Sequence, residues 1–228
     1  MPVQDYMSRD LITVDEDASI MKASKLMKQN NIRHLPVLRK GRLVGIVSDR
    51  ELKEAAPSKA TLLDIHEMYH LLDQITIKGL MPKKMYTIGP EATVEKAAAV
   101  MLSRNISALP VVDEKGSLMG IIAKGDIFRA FVSISGINTA PLAMGLVLQD
   151  QPGSIKEVTD IIRGHGGRLG SILTGYEGVR QGFRKVFIRA LEVKDEMALR
   201  KELEAKHEMI YFLHERVNHV EALATPGS

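Results

Sequence analysis

A set of residues recurs along this chain at one fixed separation. Met7, Thr13, Ala18, Ala23, Met27, Asn31, Ile32, Leu35, Pro36 and Val37 return as Met81, Thr87, Ala92, Ala97, Met101, Asn105, Ile106, Leu109, Pro110 and Val111, each pair 74 positions apart. Past the next turn the offset becomes 75, and Gly41, Leu43, Gly45 and Ile46 return as Gly116, Leu118, Gly120 and Ile121. A period this long, occurring twice, excludes a solenoid and points to two copies of one small unit packed as a pair. Neither copy is long enough to bury a secure core alone.

Within each copy the pattern predicts strand, helix, strand, strand, helix. In the first, a short strand near Leu11 to Val14 precedes a helix whose apolar stripe is Ile20, Ala23 and Met27 and which Asn30 and Asn31 end. Two strands then flank a tight turn at Gly41, and a helix opens at about Ser48. The copies span 1–56 and 77–134, joined by 57–76, which contains an amphipathic packing segment, LLDIHEMYHLLDQI. After a Gly- and Pro-bearing linker, 135–141, the grammar changes. Residues 142–214 read as βαββαβ, the ferredoxin-like order, and 215–228 as a fraying polar tail. The expected fold class is α+β.

Composition narrows the function. A formal charge of +3, with basic residues scattered, offers no track for a phosphate backbone, so nucleic acid is not an expected partner. There is no cysteine, hence no disulfide, thiolate nucleophile or cysteine metal site. MPVQDYMSRD lacks signal-peptide character and no apolar run is long enough for a membrane span, so a cytoplasmic protein without a membrane partner is expected.

The chemistry concentrates where the last strand of each copy meets its helix. Ser48 places a hydroxyl and helix-start amides at one spot, a setting that favours anions. Arg50, Arg33 and His34 add polar and cationic groups, and Glu51 can accept from a diol. Together they suit an adenine nucleotide. In the second copy Asp126 keeps a carboxylate and Lys124 a charge, but Ala123 stands at the hydroxyl position. Ordinary helix capping explains Ser48 and Asp126 equally well, and Gly45 and Gly120 can serve close packing alone.

The repeated LPV, the paired threonines and the closing GIVSDREL and GIIAKGDI resemble a tandem CBS-domain pair, a Bateman module. DQPGSI and the element order of the last third resemble an ACT domain. With the histidine-bearing connector, the combination is similar to the acetoin-utilization family. The resemblance implies a non-enzymatic regulator binding AMP, ADP, ATP or S-adenosylmethionine, with no catalytic cofactor. It implies a first site of Thr13, Arg33, His34, Pro36, Ser48, Arg50 and Glu51, and a second of Thr87, Ala108, Pro110, Lys124 and Asp126. Such modules carry Thr or Ser together with Asp, so Glu51 and Ala123 each depart from half of the pair. The ACT loop, Asp150, Gly153, Ser154 and Ile155, is the implied place for an amino-acid carboxylate. A homodimer through both kinds of domain and a regulated protein partner are further implications, as is a role in acetoin use. The alternative is an assembly module with vestigial pockets.

Two other patterns carry less. His66-Glu67-Met68-Tyr69-His70 matches HExxH, but no third ligand follows in a fitting context, so a packing helix is expected and no metal. Gly164 to Gly167 follow a helix and precede a strand, the reverse of the dinucleotide fingerprint, and read as a helix stop.

Overall fold

The computed structural model describes residues 1–55, 74–82 and 84–215. The connector through residue 73, with His66 to His70, and the tail beyond Glu215 lie outside them. The chain divides into two compact units, 1–130 and 131–228.

In the first unit β1 (Val14–Asp15) runs parallel to β2 (His34–Arg39), which pairs antiparallel with β3 (Arg42–Ser48). Between them α1 (Ile20–Gln29) begins at Ser19, whose hydroxyl accepts from the Lys22 amide, and buries Ile20, Ala23 and Met27. α2 (Asp49–Ala55) follows β3 directly. The second copy repeats this with α3 (Val94–Arg104) capped by Thr93, β4 (Ala108–Val112), β5 (Leu118–Ala123) and α4 (Lys124–Ser135). Gly41 and Gly116 take φ of 77° and 78° in the equivalent turns, a region that favours glycine. The opening strand is shorter than the sequence suggests. It is two residues in the first copy and a single parallel bridge, Ile88 to Val111, in the second.

The copies are not self-contained. Val3 and Met7 lie in the core of the second copy, beside Ile88, Val94 and Leu109. Ile77, their counterpart from the second copy, lies in the core of the first, beside Val14, Leu35 and Val47. The backbone exchange is reciprocal: Val3 N–H donates to Ala92 O at 2.8 Å, and Ile77 N–H to Ala18 O at 2.9 Å. Each copy lends its leading segment to the other, which ties the pair into one unit across the sequence limits at 56 and 77.

In the second unit β6 (Leu142–Gln149), α5 (Ser154–Gly164), β7 (Arg168–Gly175), β8 (Phe183–Leu191), α6 (Glu196–Lys206) and β9 (Glu208–His214) follow in the expected ferredoxin-like order. The sheet order is β7-β8-β6-β9 with every neighbour antiparallel. Alternate residues Leu142, Met144, Leu146, Val186 and Ile188 meet Val158, Ile162, Leu199 and Leu203 of the helices. Residues 135–141, read as a linker, are held to this sheet. Ser171 donates to Ser135 O, and Arg189 to Ala140 O at 3.2 Å.

Candidate functional site

The strand–helix junctions of both copies open onto one cleft of about 1260 Å³. Register explains the convergence. His34 lies opposite Ser48 and Pro36 opposite Ile46, while Ala108 lies opposite Ala123. Arg33, His34, Pro36, Ser48, Arg50 and Glu51 line the cleft from the first copy, and Ala108, Lys124 and Asp126 from the second. Three expected residues are not among its lining. Thr13 precedes the strand whose Val14 fills the core, Thr87 is exposed, and Pro110 is buried.

The carboxylates are engaged at their own helix starts. Glu51 Oε2 accepts the Ser48 N–H at 2.6 Å, the glutamate half of a capping box, and the Ser48 hydroxyl as well. Asp126 Oδ2 accepts the Ala123 N–H at 2.8 Å, and its other oxygen pairs with Arg129. Ala123 has no hydroxyl, and the shorter Asp126 accepts the equivalent amide as Glu51 does in the first copy. Arg50 is turned along its helix, donating to Glu54 at 2.7 Å.

A side-chain bond joins the copies at the cleft: His34 Nε2 lies 2.6 Å from Ser107 Oγ, the donor depending on the tautomer. Burial holds the His34 pKa below its ordinary 6.5, with Asp49 and Glu51 opposing and Arg33 adding to the depression. The neutral ring is therefore the form that folding favours. Its contribution is complete above pH 6.5 and is lost as pH falls from there towards the folded pKa, because the unfolded chain takes up the proton first. Denaturant melts of wild type and His34→Gln should converge on acidification, as the wild type loses this increment and the variant does not. A constant gap between them across this pH range would show that His34 does not carry it.

Several cleft residues carried no functional reading in the sequence. Asn31 and Asn105 both line it in the left-handed conformation, φ 51° each, and their recurrence at helix ends was the available signal. Ser107 and Tyr86 line it too, and Arg104 stacks on Tyr86 at 5.0 Å. Nothing in the repeat pattern marked this pair, since neither position recurs.

In the second unit, the expected loop is filled by a residue that the sequence did not single out. Arg184 of β8 lies 3.4 Å from Asp150 and donates to the Ser154 hydroxyl at 3.1 Å. Ser154 is buried and donates to Gln151 O at 3.1 Å, while Ile155 packs on the core. Gly153, at φ 92°, leaves open space where a Cβ would stand. Among the described residues, no group of three or more His, Asp or Glu could hold a metal ion, and no helix is long and apolar enough to cross a membrane.

Comparison with known proteins places this arrangement. The CBS-domain family model matches residues 3–58 and 77–133. A CBS domain-containing protein of Dictyostelium discoideum is 30% identical over 133 residues, covering 58% of this chain and 92% of that protein. A homoserine O-acetyltransferase of Methanosalsum zhilinae is 36% identical over 126 residues, covering 55% of this chain; the chain spans 23% of that protein's length. Among solved structures, the CBS domain pair of protein MJ0100, in complex with 5'-methylthioadenosine and S-adenosyl-L-methionine, is 30% identical with a TM-score of 0.49, covering 58% of this chain and 97% of that one.

Proposed function

Since the chain belongs to the CBS-domain family, we propose that residues 1–130 sense an adenosyl ligand in the cleft between the copies, without transforming it. The observation that carries this reading is the single cleft of about 1260 Å³ into which equivalent junctions of both copies open. It exceeds a typical small-molecule pocket of about 300–1,000 Å³ and has room for a mononucleotide. Ile12, Pro36, Ile46 and Ile121 offer apolar surface for a purine, and Ser48, Ser107 and the cations offer polar anchors. A ligand touching both copies shifts their relative arrangement only by its differential affinity for the arrangements. The shift would regulate a protein partner.

The same proposal treats residues 142–214 as an ACT unit, supported by the ferredoxin-like sheet order and the Gly153 loop, and the chain as a homodimer. An amino acid entering at Gly153 would have to compete with Arg184 for Asp150 and Ser154. A thermal-shift screen of amino acids tests this: stabilisation seen in wild type and lost in Gly153→Val supports the loop, and equal shifts in both proteins remove it. A role in acetoin use, through control of a partner, rests on the family resemblance alone.

The competing reading, an assembly module with vestigial pockets, draws on the capped carboxylates Glu51 and Asp126. Calorimetry with adenosine, AMP, ADP, ATP and S-adenosylmethionine separates the two. Saturable heat with at least one supports sensing; no heat with any, at protein concentrations well above micromolar, supports assembly.

A further inference from the structure

The charges around the cleft are unequal in one respect: most of its anions are engaged and several of its cations are not. Glu51 and Asp126 hold their helix starts, Glu54 is paired with Arg50, and Asp49 with Lys53 at 3.1 Å. Asp10 alone of the lining carboxylates has no such partner among the described residues. Arg33, Lys84 and Lys124 line the same cleft, and among the described residues their side chains make no ion pair or hydrogen bond.

Two of these cations occupy related positions. Each copy has a backbone bond between the residue before its first hairpin strand and the first residue of the helix after the second. These are Asp49 N–H to Arg33 O at 3.0 Å, and Lys124 N–H to Ser107 O at 2.9 Å. In the first copy the cation is on the strand side of this bond; in the second it is on the helix side. Each half of the cleft therefore presents one uncommitted positive charge at its strand–helix junction, next to the His34–Ser107 contact that joins the halves.

We infer that the ligand of this cleft is a phosphorylated, anionic adenine nucleotide rather than a cationic sulfonium nucleoside, with Arg33 and Lys124 as its two phosphate anchors. The inference rests on the nucleotide reading above and narrows it. An anion gains both charges without breaking a bond already made, and displaces only water and counterions. For a sulfonium or ammonium group the balance is reversed: Asp10 is the one uncommitted carboxylate against three uncommitted cations among the described lining residues, and recruiting Glu51 or Asp126 would draw it from a helix cap.

The test is calorimetry on the full chain at low and at moderate salt, with adenosine, AMP, ATP and S-adenosylmethionine, for wild type, Arg33→Gln and Lys124→Gln. Both residues are exposed, and thermal melts check that the variants fold. The expected result is that AMP or ATP binds at least about tenfold more tightly than adenosine or S-adenosylmethionine at low salt, an advantage that shrinks as salt rises. Each substitution should remove part of that advantage and leave adenosine binding unchanged. S-adenosylmethionine or adenosine binding as tightly as ATP overturns this inference and leaves the nucleotide reading standing, as does a phosphate advantage that both variants retain in full. No binding by any of the four overturns the nucleotide reading and this inference with it.

Discussion

Truncation of Ile77 to alanine should destabilise residues 1–130 by about 2–4 kcal/mol, the cost of deleting a large side chain from a packed core. Ile77 is fully buried, and its neighbours are Val14, Ile20, Leu35, Val37 and Val47, all of the other copy. The damage should therefore fall first on the copy to which Ile77 does not belong in sequence. Hydrogen exchange gives the location: amides of β2 and β3 should lose protection more than those of β4 and β5. Val3→Ala should show the mirror image, weakening β4 and β5, since Val3 sits with Leu109, Val111 and Ile122. If Ile77→Ala loosened only its own copy, the reciprocal exchange of leading segments would be wrong.

The second large effect separates two glycines that the repeat makes equivalent. A Cβ on Gly120 would meet Met7 Cγ at 3.0 Å and the Ser8 carbonyl oxygen at 3.0 Å; that oxygen accepts the Ile121 amide, so the backbone there is fixed. A Cβ on Gly45 would run into the Met81 side chain, with no backbone atom among its three nearest neighbours. Methionine yields by changing rotamer, whereas a bonded carbonyl does not. Gly120→Val should thus cost about 1–3 kcal/mol or more, as overpacking does, and Gly45→Val distinctly less. Urea denaturation of the two variants checks the ranking; the reverse order would contradict the packing described.

These two cases also show what the sequence made legible. The repeat disclosed the number of copies, their element order and the importance of Gly45 and Gly120, because the same backbone needs recur in both. Periodicity cannot say whether a segment packs on its own copy or its twin, since the two environments are alike. The exchange of Val3 and Ile77 was therefore invisible. At the cleft, strand register sets His34 opposite Ser48 and Ala108 opposite Ala123, and residues assigned from the sequence to two sites line one space. Glu51, three residues after Ser48, accepts the amide of that residue, a local bond that its spacing alone already permits. His34 and Ser107 are neighbours because of how the copies face each other, which no single copy's pattern encodes. Arg184 was missed for a similar reason, lying 34 positions beyond Asp150 on a strand that meets the loop only in the folded sheet.

The central claim is that the cleft between the copies accepts an adenine nucleotide, and a crystal structure of the chain grown with saturating AMP tests it most directly. The account requires nucleotide density between the two copies, with the purine against Pro36 or its surroundings and the phosphate within reach of Arg33 or Lys124. An unoccupied cleft at saturating AMP, with its side chains closed over the space, would contradict it.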